Sequence, residues 1–145
     1  MKTALFYLVL GFLALTLVLP QAAFSQPEPE ETPPAIPVMR IDEEAFMAGE
    51  IKSGFTITHD FIVKNIGQAE LIIRDVIPGC GCIVANFTPV INPGSQGTIT
   101  LAVDVYPEWA GHEIDKAALV LTNDPVNPNT KIFIKAKIVA NRSQS

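Results

Sequence analysis

The chain has 145 residues, ten Lys and Arg against fifteen Asp and Glu, and a formal net charge of −5. That acidic balance excludes the electrostatic footprint of a nucleic-acid binder and argues against anionic membrane surfaces. The cysteine complement is two, Cys80 and Cys82.

Lys2 and an apolar run from Ala4 to Leu19 open the sequence, followed by Pro20 and the small-residue stretch Gln21 to Gln26. A short basic start, an apolar core and small residues at a cleavage point make a secretory signal peptide. It is assigned to residues 1–25, with cleavage after Ser25 or after Ala23. A retained anchor is the alternative, because a run of about 16 apolar residues falls just short of the spanning range. Neither cysteine lies near the end of the run, which disfavours a lipoprotein.

The mean hydropathy of +0.31 is inflated by this leader. Without it, nine basic side chains face fifteen acidic ones. The remaining length, roughly 120 residues, suits one domain with a single core. Export to the periplasm or the extracellular space is the expected location. Residues 26–37 are rich in Pro and Glu, so they should form an extended linker. A domain over residues 38–141 and a tail over 142–145 complete the organisation.

Past Pro37, apolar residues alternate with a period of two, the signature of half-buried strands. Phe55, Ile57, Phe61 and Val63 share one face, with His59 among them. Ile99, Leu101, Val103 and Val105 form a second such row. Ala117, Leu119 and Leu121 alternate with Lys116, Ala118, Val120 and Thr122. Ile132, Ile134, Ala136 and Ile138 alternate with lysines at 131, 135 and 137.

Turn residues separate these runs. Asn65-Ile66-Gly67 offers residues that tolerate left-handed angles, and Asn92-Pro93-Gly94 suits a tight turn. An Asn/Pro loop spans residues 123–129. About seven strands at this spacing, with no sustained helical period after the leader, predict an immunoglobulin-like antiparallel β-sandwich.

Several of these landmarks resemble a known bacterial family, domain-of-unknown-function family 1573. They are Phe61 to Gly67, Leu71 to Val76, Cys80-Gly81-Cys82, the turn and strand from Ile91 to Ile99, Gly111, Thr122-Asn123-Asp124, and the closing strand Ile132 to Val139. The likeness covers roughly residues 40 to 140. It implies a sandwich of the kind found in cilia- and centrosome-associated proteins and the major sperm protein group, often an interaction module. One departure is Ile83, where the family pattern leads one to expect threonine after the second cysteine; a hydroxyl is thereby lost from the site.

Three readings of Cys80-Gly81-Cys82 compete. In a regular strand the two Cα atoms would lie about 6.6 Å apart, near the upper edge of disulfide geometry. Gly81 can draw them closer, but a bridge is then expected to be strained and readily reduced. Its short ring would add only about 1.6 kcal/mol through chain entropy, so it would staple the fold poorly. A structural disulfide suits an oxidising compartment. A two-thiolate clamp would take a soft ion such as Cu(I) or Zn(II). A thiol–disulfide redox pair is the third reading, without the Cys-X-X-Cys motif of thioredoxin-like catalysts.

Helpers for a metal are few. His59 reads as a core or boundary histidine, and Met39 and Met47 as gap-fillers. His112 and Trp109 share the loop Pro107 to Asp115 and are candidate interaction residues; Trp109 either anchors a partner or folds over an open end of the sandwich. Asp104, Glu108, Glu113 and Asp115 around it are the oxygen ligands that calcium would need, without an EF-hand loop. Asp42, Glu43 and Glu44 read as a solvated acidic face. No nucleophile motif or phosphate-cradling loop appears. The chain is therefore expected to be a non-enzymatic interaction module without a required cofactor, its sticking surfaces being open sheet edges or the Cys and Trp109 loops, its partner an unidentified protein.

Overall fold

The structure, a computed structural model, describes residues 34–141. The leader at 1–25, most of the linker and the tail at 142–145 lie outside the described residues. Among the described residues there are nine strands: β1 (Met39–Ile41), β2 (Ala45–Lys52), β3 (Thr56–Asn65), β4 (Leu71–Pro78), β5 (Ile83–Phe87), β6 (Val90–Ile91), β7 (Gln96–Asp104), β8 (Glu113–Thr122) and β9 (Asn129–Val139). They form a four-stranded sheet, β1-β3-β7-β5, and a five-stranded sheet, β2-β9-β8-β4-β6. The expected sandwich is therefore observed, and the excess over seven strands comes from the short β1 and β6.

Alternation carries the fold. Ile57, Phe61 and Val63 of β3 and Ile99, Leu101 and Val103 of β7 face Val120 of β8 and Ile132, Ile134 and Ile138 of β9 in one buried cluster. A side-chain period of two sends every second residue to that interior. On β8 the interior row is Ile114, Lys116, Ala118, Val120 and Thr122, which leaves Leu119 and Leu121 half-buried on the outer face.

Three expectations change. The sheets are not wholly antiparallel: β2 runs parallel to β9, with a bulge between Met47 and Gly49 at which Gly49 takes a φ of 75°. Phe55 is 55% exposed, because it precedes β3 in a turn rather than extending its buried face. Gly67 keeps an ordinary φ, so its freedom is not what the turn uses. A Cβ there would sit 2.3 Å from the Ile36 carbonyl oxygen and 2.5 Å from the Val38 nitrogen. Glycine is needed for close approach of two backbones. At Asn92-Pro93-Gly94 the expectation holds, with Gly94 at φ 72°.

Two buried polar side chains lock the end opposite the cysteines. The Asn65 amide group donates to the Ala69 and Ile91 carbonyls, and its oxygen accepts from the Gly67 N–H. The carboxylate of Asp124, fully buried, accepts from the Met39, Val126 and Asn127 N–H groups at 2.8, 2.8 and 3.1 Å. No buried side-chain nitrogen or oxygen among the described residues lacks a partner, as burial of polar groups requires.

Candidate functional site

Pro78-Gly79 ends β4 on the five-stranded sheet, and Ile83 begins β5 on the four-stranded one. Cys80-Gly81-Cys82 is thus the corner where the chain changes sheets. The Gly79 N–H donates to the Ala117 carbonyl at 2.9 Å. A Cβ on Gly79 would stand 2.7 Å from that same oxygen, so the corner demands glycine. The Ile83 N–H donates back to the Cys80 carbonyl at 3.3 Å, closing a four-residue turn. The Asp104 N–H donates to the Cys82 carbonyl at 3.0 Å, seating the next strand.

This turn joins Cys80 and Cys82 in a disulfide with Cα atoms 5.3 Å apart. That separation is ordinary for a bridge, so the wide spacing expected of a regular strand does not apply at the corner. The two cysteines differ in surroundings: Cys82 is buried at 5% exposure, and Cys80 is half-buried against the core edge. In the bonded state the two sulfurs offer no thiolate pair to a metal ion.

The Trp109 loop lies at the same end. Residues Pro107–Trp109 form a single 3-10 turn. The Gly111 N–H donates to the Ile138 carbonyl, and the Ile138 N–H donates to the His112 carbonyl, each at 2.8 Å. These reciprocal bonds tie the loop to the end of β9. Trp109 is half-buried against the core, and its ring meets Tyr106 edge-on at 4.9 Å. Lys116 occupies an inward-facing position of β8, and its Nζ lies 4.1 Å from the Trp109 ring centroid. The cation–π contact lets an interior-facing lysine end against an aromatic face. Trp109 therefore covers the open end of the sandwich at the point where Lys116 leaves it. His112 is exposed.

Sequence reasoning did not single out Lys116, although its inward register with Ala118 and Val120 was visible. Nor did it single out Asn65 or Asp124, which sit in runs that read as generic turn chemistry.

The other candidates scatter. His59 stacks on Phe46 with ring centroids 3.7 Å apart, meets Phe61 edge-on, and holds Nε2 3.7 Å from Glu43. It is the boundary histidine that its position suggested. Met39 fills the core, whereas Met47 is 68% exposed. Asp104 accepts a hydrogen bond from Thr56, and Asp115 pairs with Lys135 at 2.9 Å. The four carboxylates near Trp109 do not converge: among the described residues, no group of three or more His, Cys, Asp or Glu side chains is placed to hold a metal ion.

Charge on the surface is largely paired across strands. Asp42 bonds both Arg40 and Lys64, and its carboxyl lies below the ordinary 3.8, chiefly through the Lys64 hydrogen bond. A shallow groove of about 500 Å³ crosses β2, β9 and β8, and Lys137 pairs with Glu50 at 2.8 Å along it. That hydrogen bond lowers the Glu50 carboxyl from 4.5 and raises the Lys137 ammonium from 10.5. The groove's polar lining is Glu50, Glu113, Asp115, Lys135 and Lys137, with Glu50 paired to Lys137 and Asp115 to Lys135.

Comparison with curated proteins gave no match. Among solved structures, a protein of unknown function from Porphyromonas gingivalis is similar with a TM-score of 0.61 and 24% identity, over 70% of this chain and 46% of that one. The chain thus spans about half the length of that relative. The PapD-like domain 7 of human CEP192 is similar over 85% of this chain and 100% of its own, at a TM-score of 0.55 and 8% identity. A secreted serine protease of Vibrio cholerae, VesC, is similar at a TM-score of 0.50 and 12% identity, over 72% of this chain but 23% of the protease. These likenesses establish a PapD-like, immunoglobulin-like fold and nothing of chemistry. The match to a family model is more direct, covering residues 39–138 and so the sandwich from the start of β1 to the penultimate residue of β9. The chain belongs to the family described as protein of unknown function (DUF1573).

Proposed function

We propose that this domain is an exported, non-enzymatic interaction module that binds a protein partner through the end of the sandwich carrying Cys80, Cys82 and Trp109. The observation that carries this reading is that Phe55 and Tyr106, the two aromatics among the exposed large hydrophobic residues of the described chain, both lie there. Phe55, Ile77, Val84 and Tyr106 are each more than 40% exposed. Backbone bonds bring them to the same end: Val105 N–H donates to Phe55, Asp104 N–H to Cys82, and Val84 lies beside Ala102. Aromatic side chains are enriched at binding hot spots, so an exposed aromatic pair on a rigid end is a suitable anchor. The loops are held by backbone hydrogen bonds, so little ordering entropy opposes binding. A PapD-like sandwich in a family without an assigned reaction is consistent with this reading.

Site-specific photo-crosslinking in cells tests it. A crosslinker at Val84 or Tyr106 should yield a discrete adduct, and one at Val126, more exposed than either and at the opposite end, should not. Equal labelling at all three positions would remove the cysteine end from the binding surface.

A further inference from the structure

The corner disulfide is built in a way that separates its chemistry from the fold. Three backbone hydrogen bonds hold the turn without help from sulfur: Gly79 to Ala117, Ile83 to Cys80 and Asp104 to Cys82. The bridge spans only one intervening residue, so opening it releases almost no chain. Cys82 sits in the core, where a thiol packs as a small apolar group. Cys80 is only half-buried against the core and is flanked by the exposed Gly79 and Gly81. A Cβ at Gly81 would meet nothing within 4 Å, so that side of the corner is open space.

From these features we infer that Cys80–Cys82 is a thiol–disulfide exchange site that accepts electrons from a dithiol, with Cys80 as the attacked sulfur. A donor thiolate forms a bond to Cys80 Sγ as the Cys80–Cys82 bond breaks. Cys82 Sγ leaves with the electron pair and takes a proton. The donor's second thiol, losing its proton, attacks the donor sulfur of the mixed disulfide. That closes a disulfide on the donor and releases Cys80 as a thiolate, which is protonated in turn. Two electrons and two protons pass from donor to protein, and no other reactant is consumed. Attack at Cys80 follows from access, which governs exchange alongside thiolate character. The exposed Ile77 and Val84 flank the corner on the outer faces of different sheets, and the chemistry holds for any dithiol that reaches it.

The test uses the purified protein with glutathione as a monothiol probe and dithiothreitol as a dithiol. After native incubation with glutathione and acid quenching, remaining thiols are alkylated and the peptides mapped by mass. The mixed disulfide is expected on Cys80, with Cys82 alkylated, in excess over the reverse adduct by about tenfold. Dithiothreitol is expected to open the bridge without denaturant. A Cys80→Ser, Cys82→Ala double variant is expected to keep a cooperative thermal transition. Adducts equal on both sulfurs or favouring Cys82, a bridge that opens only on unfolding, or a double variant that fails to fold would each overturn the inference.

Discussion

At the scale of single residues, the polar groups that the core admits are those that answer a backbone. Asp124 is fully buried, and its two oxygens serve three N–H groups, from β1 and from its own loop. Replacing it by alanine strands those donors away from water. Each unsatisfied buried group costs about 1–3 kcal/mol, so Asp124→Ala should lower the stability measured in urea by roughly 3 kcal/mol or more. Asp124→Asn keeps one acceptor oxygen and should lose less. Equal stability of all three proteins would show that Met39 does not need its partner.

Glycines divide by the same reasoning. Gly67→Ala drives a Cβ into the Ile36–Val38 backbone. Overpacking of this kind costs about 1–3 kcal/mol. Gly81→Ala meets open space and should stay within about 0.5 kcal/mol of the parent. Chemical denaturation of the two variants side by side checks the ranking; the reverse order would refute the close-approach account of Gly67.

At the scale of elements, β2 adds a cross-strand ion pair to its backbone ladder. It lies at the edge of the five-stranded sheet, pairs in parallel with β9, and carries the Glu50–Lys137 ion pair. Glu50 has a lowered carboxyl, so its contribution is complete above its ordinary 4.5 and is lost as pH falls through the lowered value. Lys137 has a raised ammonium, so its contribution is complete below 10.5 and is lost as pH rises through the raised value. The pair therefore acts between those limits. Melting temperatures of the parent should exceed those of Glu50→Gln modestly inside that window and converge with them in strong acid. The difference should also shrink in about 1 M salt, where the Debye length is about 3 Å. A gap that persists in acid and in salt would assign Glu50 a packing role instead. Both groups are exposed, and screening keeps the effect small.

The strands themselves were legible because a two-residue period is written directly in the apolar positions. Ile99, Leu101, Val103 and Ile132, Ile134, Ile138 all point inward as that period requires. What periodicity does not carry is strand direction: nothing in Ala45–Lys52 distinguishes a parallel neighbour from an antiparallel one, and β2 differs from expectation for that reason. Short β1 and β6 fall below the length at which alternation can register. Phe55 reads as the start of a row because the sequence does not mark where the turn at Gly54 ends, with its φ of 84°.

At the scale of the molecule, the site is a product of topology more than of motif. Cys80-Gly81-Cys82 is visible in the sequence, but not that it stands where the chain passes between sheets. Trp109 lies 27 positions after Cys82, and the Asp104 N–H to Cys82 carbonyl bond, with the loop that follows β7, puts them at one end. The Lys116–Trp109 contact could be read only once β8 had a defined inward face. The four acidic residues near Trp109 illustrate the opposite outcome. Glu113 and Asp115 share one face of β8 in the five-stranded sheet. Asp104 on β7, however, bonds Thr56 in the other sheet, and Asp115 pairs with Lys135, so the four do not form one cluster.

The central claim is that an exported sandwich displays a bridged Cys80–Cys82 corner at its binding end. The most direct measurement is a thiol count by mass spectrometry on protein trapped with an alkylating agent straight from cells. The account predicts a principal species in which Cys80 and Cys82 are joined within one chain and take up no label. Two alkylated cysteines throughout the population would contradict both the bridge and the oxidising compartment assigned to it.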